Sequence, residues 1–518
     1  MIRKSAALLA CLIFTVFLAS TGAQDVVQQP LKTASETLLI SPADVAENDW
    51  RTVGAAPLGA SVLYHLDNDR IWQQEQILSN LKQAHIATLR FPGGELADNY
   101  DWERHALEQP DAWPGGAASE AERNERTDYL EFLNAAEKLG VKHLFFVVNV
   151  DGAFRAPGDL EKNLKEYAEK AARWVKAANG GNQRVRYWEI GNEPSLYGNY
   201  PLSAEEYARA LKVFSREMRA ADPEILIGAA GPTGTDGIAF ADRLTPRQLS
   251  EFRKKGGMKQ FYANLGASQC VRKIQKEIPG RAACSPWWPT LLEQAGDSFD
   301  FAVIHRYTSI NLAADSPRTD AFRLTQAPQR LRAYLEKARG KTTPIALTEW
   351  NTPNEKRNRC FTEIDHLLDI AVQIGNNAVG GVDFTHYWPL RPLSSAFKPL
   401  LTEDGRMTAV ARLFGMAGEM LHEAQAAHYM PVENVYVLNV RRAGQEGVLI
   451  VNTGARPIPV ELKIKDDAPK AELIVRRLIG NDDGTVKTLP EYKAACSKTE
   501  RIQIEIPAKS ITSALITY

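Results

Sequence analysis

Polar side chains gather where six apolar runs of this chain end. They are Arg90-Phe-Pro-Gly-Gly-Glu95, Asn149, Gly191-Asn-Glu-Pro194, His305-Arg-Tyr307, Glu349-Trp-Asn351 and His386-Tyr-Trp388. Core packing asks for none of that chemistry at strand ends. Among these residues Glu193 and Glu349 stand out, because each carboxylate closes a strongly apolar run beside Asn or Trp. Two carboxyls about 5 to 5.5 Å apart can cleave a glycosidic bond with retention: one protonates the leaving oxygen and the other attacks the anomeric carbon. Their surroundings must then hold their pKa values apart. A cation such as Arg90 favours ionised Glu349, and the negative charge of Glu349 keeps the proton on Glu193 until the leaving group departs. An isolated Glu is ordinarily a surface or capping residue, so the paired setting carries the expectation.

Bringing these ends together requires a particular frame. From about Gly59 to Pro389 a short apolar, β-branched run, a polar loop and a helix-like stretch recur, which implies parallel strands. Candidate strands are Ala60 to His65, Ile86 to Phe91, His143 to Asn149, Val185 to Ile190, Ile225 to Ala230, Phe299 to His305, Ile345 to Glu349 and Val382 to Tyr387. That number closes a (β/α)8 TIM barrel, whose sites form at the C-terminal strand ends and whose fourth and seventh strands face each other. Ser203-Ala-Glu-Glu206 reads as a capping box opening an amphipathic helix through Tyr207, Leu211, Phe214 and Met218. The alternative is an open doubly wound sheet, but no glycine-rich phosphate loop follows the first strand. Beyond Arg406 to Leu421 the pattern turns to short alternating strands, among them Val435 to Val440, Val448 to Val451, Val460 to Ile464, Leu473 to Leu478, Ile502 to Ile506 and Ile511 to Ile516, as in an antiparallel β-sandwich. The expected division is a signal peptide over 1–23, an N-terminal segment over 24–50 that can lend Leu38 to Ile40 to the sandwich, the barrel over 51–422 and the sandwich over 423–518. The Lys- and Arg-rich stretch from Thr235 to Arg281 reads as helical decoration near the active face.

Trp188-Glu-Ile-Gly-Asn-Glu-Pro194 resembles the Asn-Glu-Pro acid/base motif of the large clan of retaining (β/α)8 glycosidases (clan A). Leu347-Thr-Glu-Trp-Asn351 is similar to the nucleophile strand of the clan's β-xylosidase and α-L-arabinofuranosidase families. Arg90-Phe-Pro-Gly-Gly resembles the Arg-Tyr-Pro-Gly-Gly segment of the arabinofuranosidases, and Glu193-Pro-Ser-Leu-Tyr197 resembles the heparanase-like β-glucuronidases. The resemblance implies that Glu193 is the acid/base and Glu349 the nucleophile. It implies that Asn192 donates to the hydroxyl next to the anomeric carbon, that Arg90 orients Glu349 and that Tyr307 hydrogen-bonds it. For Arg90 the competing reading is a structural pair with Glu189; for His305, sugar contact and a satisfied core position stand equal. Trp350, Trp388 and Trp102 are candidate platforms for sugar rings, whose CH faces stack on indoles. Asn149 and Asn351 are further candidate sugar contacts, with Glu95, Asp98 and Arg391 as weaker ones. Two positions depart from the arabinofuranosidase pattern: Glu95 stands where Asn is expected and Pro194 where Met is expected. The chain mixes signatures, and no one family's substrate follows.

At 518 residues, with 44% hydrophobic and 24% charged residues and a net charge of -1, the composition is that of a globular protein without bias toward nucleic acid or anionic membrane. Met-Ile-Arg-Lys, an apolar run from Ala6 to Ala19 and small residues near Ala23 read as a signal peptide, so a secreted or periplasmic location is expected. A membrane anchor and a lipoprotein at Cys11 are the alternatives. Cys270, Cys284, Cys360 and Cys496 would then mature in an oxidising compartment; Cys270 with Cys284 is the preferred pair, while Cys360 and Cys496 are as readily free thiols. No metal and no cofactor are expected. The expected activity is hydrolysis of extracellular poly- or oligosaccharide, of β-xylosidase, arabinofuranosidase or endo-glycanase type. The alternatives are a heparanase-like β-glucuronidase and a non-catalytic carbohydrate-binding protein. Nothing in the sequence sets the oligomeric state.

Overall fold

The computed structural model describes residues 37–518 except 65–71, 110–125, 182–183, 197–199, 236, 238, 245, 255–285, 308–316, 354–361, 394–396, 433, 464–470 and 497–500. The 1–23 segment, Cys11, Cys270, Cys284, Cys360, Tyr197 and most of the basic insertion lie outside the described residues. Cys496 is buried in the C-terminal domain. Among the described residues no helix is long and apolar enough to cross a membrane.

Eight parallel strands close into a barrel in chain order: β1 (Gly59–Ser61), β2 (Thr88–Phe91), β3 (His143–Val148), β4 (Tyr187–Ile190), β5 (Leu226–Ala230), β6 (Phe301–Tyr307), β7 (Ile345–Asn351) and β8 (Phe384–Tyr387). Strands β6 and β7 run two residues further than their apolar runs, because His305, Tyr307 and Asn351 still pair in the sheet. Alternation along each strand divides its side chains. Trp188 and Ile190 of β4 join the large cluster between strands and helices, whereas Tyr187 packs inside the barrel with Phe145, Phe301, Ala346 and Phe384. Two residues further along, Glu189, Thr348 and His386 replace Tyr187, Ala346 and Phe384, so the interior turns from apolar to polar toward the C-terminal ends.

The outer layer includes α1 (Glu75–Gln83), α2 (Tyr129–Leu139), α3 (Leu160–Ala178), α4 (Ala204–Ala221), α5 (Trp287–Ala295), α6 (Pro317–Arg339), α7 (Glu363–Val379) and α8 (Ala409–Leu421). Helix α4 opens with the capping box: the Ser203 hydroxyl accepts from the Glu206 N–H at 3.1 Å, and Glu206 accepts from the Ser203 N–H at 2.8 Å. From the buried face of α4, the Tyr207 hydroxyl donates to the Ile190 carbonyl at 2.7 Å and accepts the Ala230 N–H at 2.8 Å, tying the ends of β4 and β5 to one side chain.

The C-terminal domain is a sandwich. Its larger sheet holds Ala426–Val432, Val435–Arg442, Gln445–Asn452, Ser510–Thr517, Ala471–Gly480, Val486–Thr488 and Tyr492–Cys496, with Arg51–Thr52 at one edge. Its smaller sheet holds Ile458–Lys463 between Arg501–Ile506 and Leu38–Ile40, the last paired parallel. The alternating pattern of Val435–Arg442 serves two cores. Val435 and Val437 face the smaller sheet, while Tyr436, Leu438 and Val440 join the barrel's outer cluster. Helices α7 and α8 pack against that second face with close approach: a Cβ on Gly375 would meet Tyr429 at 2.6 Å, and one on Gly447 would meet Met420 at 2.7 Å. Enclosure between barrel and sheet explains why α7 is buried on every face.

Candidate active site

Arg90, at the third position of β2, points into the barrel and is fully buried. Its Nε lies 3.1 Å from both oxygens of Glu189, its Nη1 donates to Glu349 Oε1 at 2.8 Å and its Nη2 donates to Asn192 Oδ1 at 2.9 Å. The two readings of Arg90 therefore hold together: one guanidinium fork serves the interior pair and the strand-seven carboxylate. Burial alone would lower its pKa, but the two carboxylates outweigh it and keep the side chain charged.

Glu349 is 4% exposed. Burial pushes its pKa up, but His305, Arg90 and the Tyr307 hydroxyl, which donates to Oε2 at 2.6 Å, together hold the carboxyl below its ordinary value. Glu349 faces inward only because β7 is irregular. Register shifts fall between Ile304 and His305 against β6 and between Leu347 and Trp350 against β8. Such an irregularity lets consecutive side chains share one face, and Thr348 and Glu349 both reach the interior.

Glu193 follows β4 on a left-handed backbone, φ 48°, after Gly191 at φ 74°. Its Oε1 lies 2.8 Å from His305 Nδ1, while His305 Nε2 lies 3.0 Å from Thr348 Oγ1. The same His305 Nδ1 is 3.6 Å from Glu349 Oε2. Burial lowers the His305 pKa, but the two carboxylates more than reverse this and raise it. Both ring nitrogens thus engage protein groups. One ligand atom each from Glu193, His305 and Glu349 lies within 4.8 Å of the others, a set that could also be offered to a cation. The direct His305–Glu193 contact leaves that set organised as a hydrogen-bonded cluster.

Asn192 is 2% exposed, its Oδ1 is engaged by Arg90 and its N–H donates to Asp98 Oδ1 at 3.0 Å. Its Nδ2 is buried without a protein acceptor among the described residues, so that donor is open beside the two glutamates. Trp388 is 7% exposed, and its ring lies on the Gly93–Gly94 turn, where a Cβ on Gly94 would sit 2.4 Å from the indole. Only glycine fits that approach at φ 67°.

Five expected contacts lie elsewhere. Trp350 is fully buried against Tyr387 and Phe414, with ring centroids 5.2 and 6.1 Å away, because a residue next to inward Glu349 faces the helix layer. Asn351 is fully buried, and its amide is used by the Trp388 and Lys398 carbonyls, the Thr352 N–H, His366 and Tyr387. It is a structural tie. Asn149 caps the Gly152 N–H at 2.8 Å and lines a cavity with Tyr167 and Trp174 on the α3 side. Trp102 stacks on Trp174 at 6.1 Å and donates to the Lys170 carbonyl, also under α3. Arg391 donates to the Glu403 carbonyl on an outer loop. Thr348, which lies inside the Leu347–Asn351 motif without being one of its expected contacts, meets His305, and buried Asp151 acts on Glu95; for Asp151 only its place after an apolar run could have marked it.

The sequence pattern of the family described as Cellulase (glycosyl hydrolase family 5) matches residues 57–380. The chain is 26% identical over 195 residues to an intracellular exo-α-(1→5)-L-arabinofuranosidase of Halalkalibacterium halodurans, covering 34% of this chain and 36% of that protein. It is 28% identical over 186 residues to a protein of the same name from Streptomyces lividans, covering 33% and 26%. The chain thus spans about a third of the length of these curated relatives. Its fold is similar to that of α-L-arabinofuranosidase from Thermotoga maritima in an arabinose complex (TM-score 0.61, 15% identity, 93% and 100% of the two chains). It is also similar to a GH30 endoxylanase from Clostridium papyrosolvens (TM-score 0.54, 14% identity, 93% and 100%).

Proposed function

We propose that this chain, which belongs to the cellulase family (glycosyl hydrolase family 5), hydrolyses O-glycosidic bonds with retention, using Glu193 as acid/base and Glu349 as nucleophile. The observation that carries this is the approach of the two carboxyls. Their oxygens come within 4.8 Å, which suits the ~5 to 5.5 Å separation of retaining pairs, whereas inverting pairs need roughly 6.5 to 9.5 Å for an interposed water. Arg90 and Tyr307 hold Glu349 ionised and aimed. Glu193, more open and bonded to His305, protonates the leaving oxygen and then takes a proton from water as the glycosyl-enzyme breaks down. The Nδ2 of Asn192, which has no acceptor among the described residues, donates to the hydroxyl beside the anomeric carbon, a bond that tightens in the transition state.

The arabinofuranosidases among its relatives favour a neutral sugar, with an aryl arabinofuranoside or xyloside as the first substrate to assay. A panel of aryl arabinofuranosides, xylosides, glucosides and glucuronides, with the native chain and with Glu193→Ala and Glu349→Ala, tests the assignment. Each substitution is expected to lower kcat by on the order of 10³-fold or more. A 2-fluoroglycoside of the cleaved sugar should label Glu349. Turnover that survives both substitutions, or a label elsewhere, refutes the roles. We also propose export through removal of 1–23; a cell-associated chain that keeps Met1 would refute it.

A further inference from the structure

Glu95 is the second residue of a short 3-10 turn, Gly94–Asn99, whose two ends are anchored on opposite sides of the cleft. Gly94 lies against the Trp388 ring, and Asp98 accepts the Asn192 N–H. Glu95 is therefore held between the rims of β8 and β4 and is partly exposed. The charged groups that act on it are all acidic. Burial first, then Glu193, Glu349 and Asp151, push its carboxyl up to about 7, and among the described residues no cation or hydrogen bond opposes them.

Among the described residues the positive charges nearby are already matched. Arg90 is divided among Glu189, Glu349 and Asn192; His305 lies between Glu193 and Glu349. Arg155 donates to the Asp98 carbonyl and faces Glu108 at 3.5 Å. A sugar carboxylate placed beside Glu95 would add a like charge to a low-dielectric cleft without gaining a cation from the described residues. Sugar hydroxyls, by contrast, can both donate to and accept from a carboxyl that is partly protonated near neutrality.

We propose, resting on the two-glutamate reading above, that Glu95 is a specificity-determining residue: its carboxyl hydrogen-bonds the hydroxyls of a neutral sugar at the scissile subsite and excludes sugars that carry a carboxylate there. The test compares matched aryl glycosides that differ as CH2OH against COO⁻, with aryl pentosides alongside. The native chain is expected to favour a neutral member by about 100-fold or more in kcat/KM. Glu95→Gln, which keeps the shape but removes the charge, should narrow that gap at least about tenfold, while Glu95→Ala should cost the neutral substrate about tenfold or more. Circular dichroism and melting temperature confirm that both variants fold.

A native preference for the glucuronide overturns the proposal but leaves the two-glutamate mechanism standing. A gap that Glu95→Gln does not narrow, together with unchanged neutral kinetics in Glu95→Ala, also overturns it. If no member of the panel is hydrolysed, the catalytic roles fail, and calorimetric titration of the same sugars decides on Glu95. Tighter binding of the neutral member that weakens in Glu95→Ala then supports the assignment, and equal or tighter binding of the uronate overturns it.

Discussion

Tyr307→Phe deletes only the hydroxyl that donates to Glu349 Oε2 at 2.6 Å. A hydrogen bond to a charged group contributes about 1.5–3 kcal/mol, and about 1.4 kcal/mol corresponds to one pH unit. Complete loss of the bond would therefore raise the Glu349 pKa by about one to two pH units. Arg90 at 2.8 Å and His305 at 3.6 Å remain. Water from the open side of the cleft replaces part of what is lost, so a rise of about one pH unit is expected. In the proposed nucleophile role Glu349 must be ionised, and burial of its carboxyl is outweighed by His305, Arg90 and Tyr307, which hold it below its ordinary value. The acid limb of kcat/KM should accordingly lie below that value in the native chain and move up by about one unit in Tyr307→Phe. The limb reports the coupled cluster of Glu193, His305 and Glu349, so the displacement matters more than the absolute position. The assay is kcat/KM on an activated aryl glycoside from pH 3 to 8, with protein integrity checked at each end. An acid limb that stays in place, or moves to lower pH, would refute the view that Tyr307 keeps Glu349 ionised.

Arg90→Met strips the cation from two buried carboxylates and is expected to cost about 3–5 kcal/mol, read as a lower urea midpoint; native-like stability would show that the interior does not depend on the ion pair. At the left-handed Glu193 position, φ 48°, Glu193→Val should be less stable than Glu193→Asn by about 1 kcal/mol or more, because Asn tolerates that region and a β-branched residue does not. Equal melting temperatures would contradict strain at this residue. Burial, then Lys398, hold His366 down to about 3. The unfolded chain therefore takes up that proton first, and stability falls as pH drops from about 6.5 toward 3. Urea titrations should show a shallower decline in His366→Gln, and parallel declines would rule out His366 as the source.

The barrel was legible because its strands are apolar on both faces and end in chemistry. Inward Tyr187, Phe145, Phe301 and Phe384 and outward Trp188, Ile190 and Phe146 make nearly continuous apolar runs that count out eight strands. Strand ends were less legible, since Tyr307 and Asn351 remain in the sheet although their polarity reads as loop. Within the site, Glu193, Glu349, Arg90, Asn192 and Tyr307 converge from motifs that sit at strand ends. Asn351 and Asn149 did not reach the cleft, because an amide that ends a strand can equally satisfy local backbone groups.

Trp350 shows why one residue of register decides such cases. Ile345 and Leu347 pack outward and Ala346 inward, so strict alternation would turn Thr348 inward, Glu349 outward among the helices and Trp350 back into the cleft. The irregularity after Leu347 reverses the last two. Thr348 stays inside, with its Oγ1 on His305, and Glu349 joins it, with its oxygens on Arg90 and Tyr307. Trp350 is thereby sent to Phe414. On the opposite side, the left-handed backbone at Gly191 and Glu193 turns the chain at the end of β4. Both glutamates are thus presented where regular strand geometry breaks, and the breaks put their oxygens within 4.8 Å. The motifs supply the residue types, while two local departures from alternation set the distance on which the proposed retaining mechanism depends.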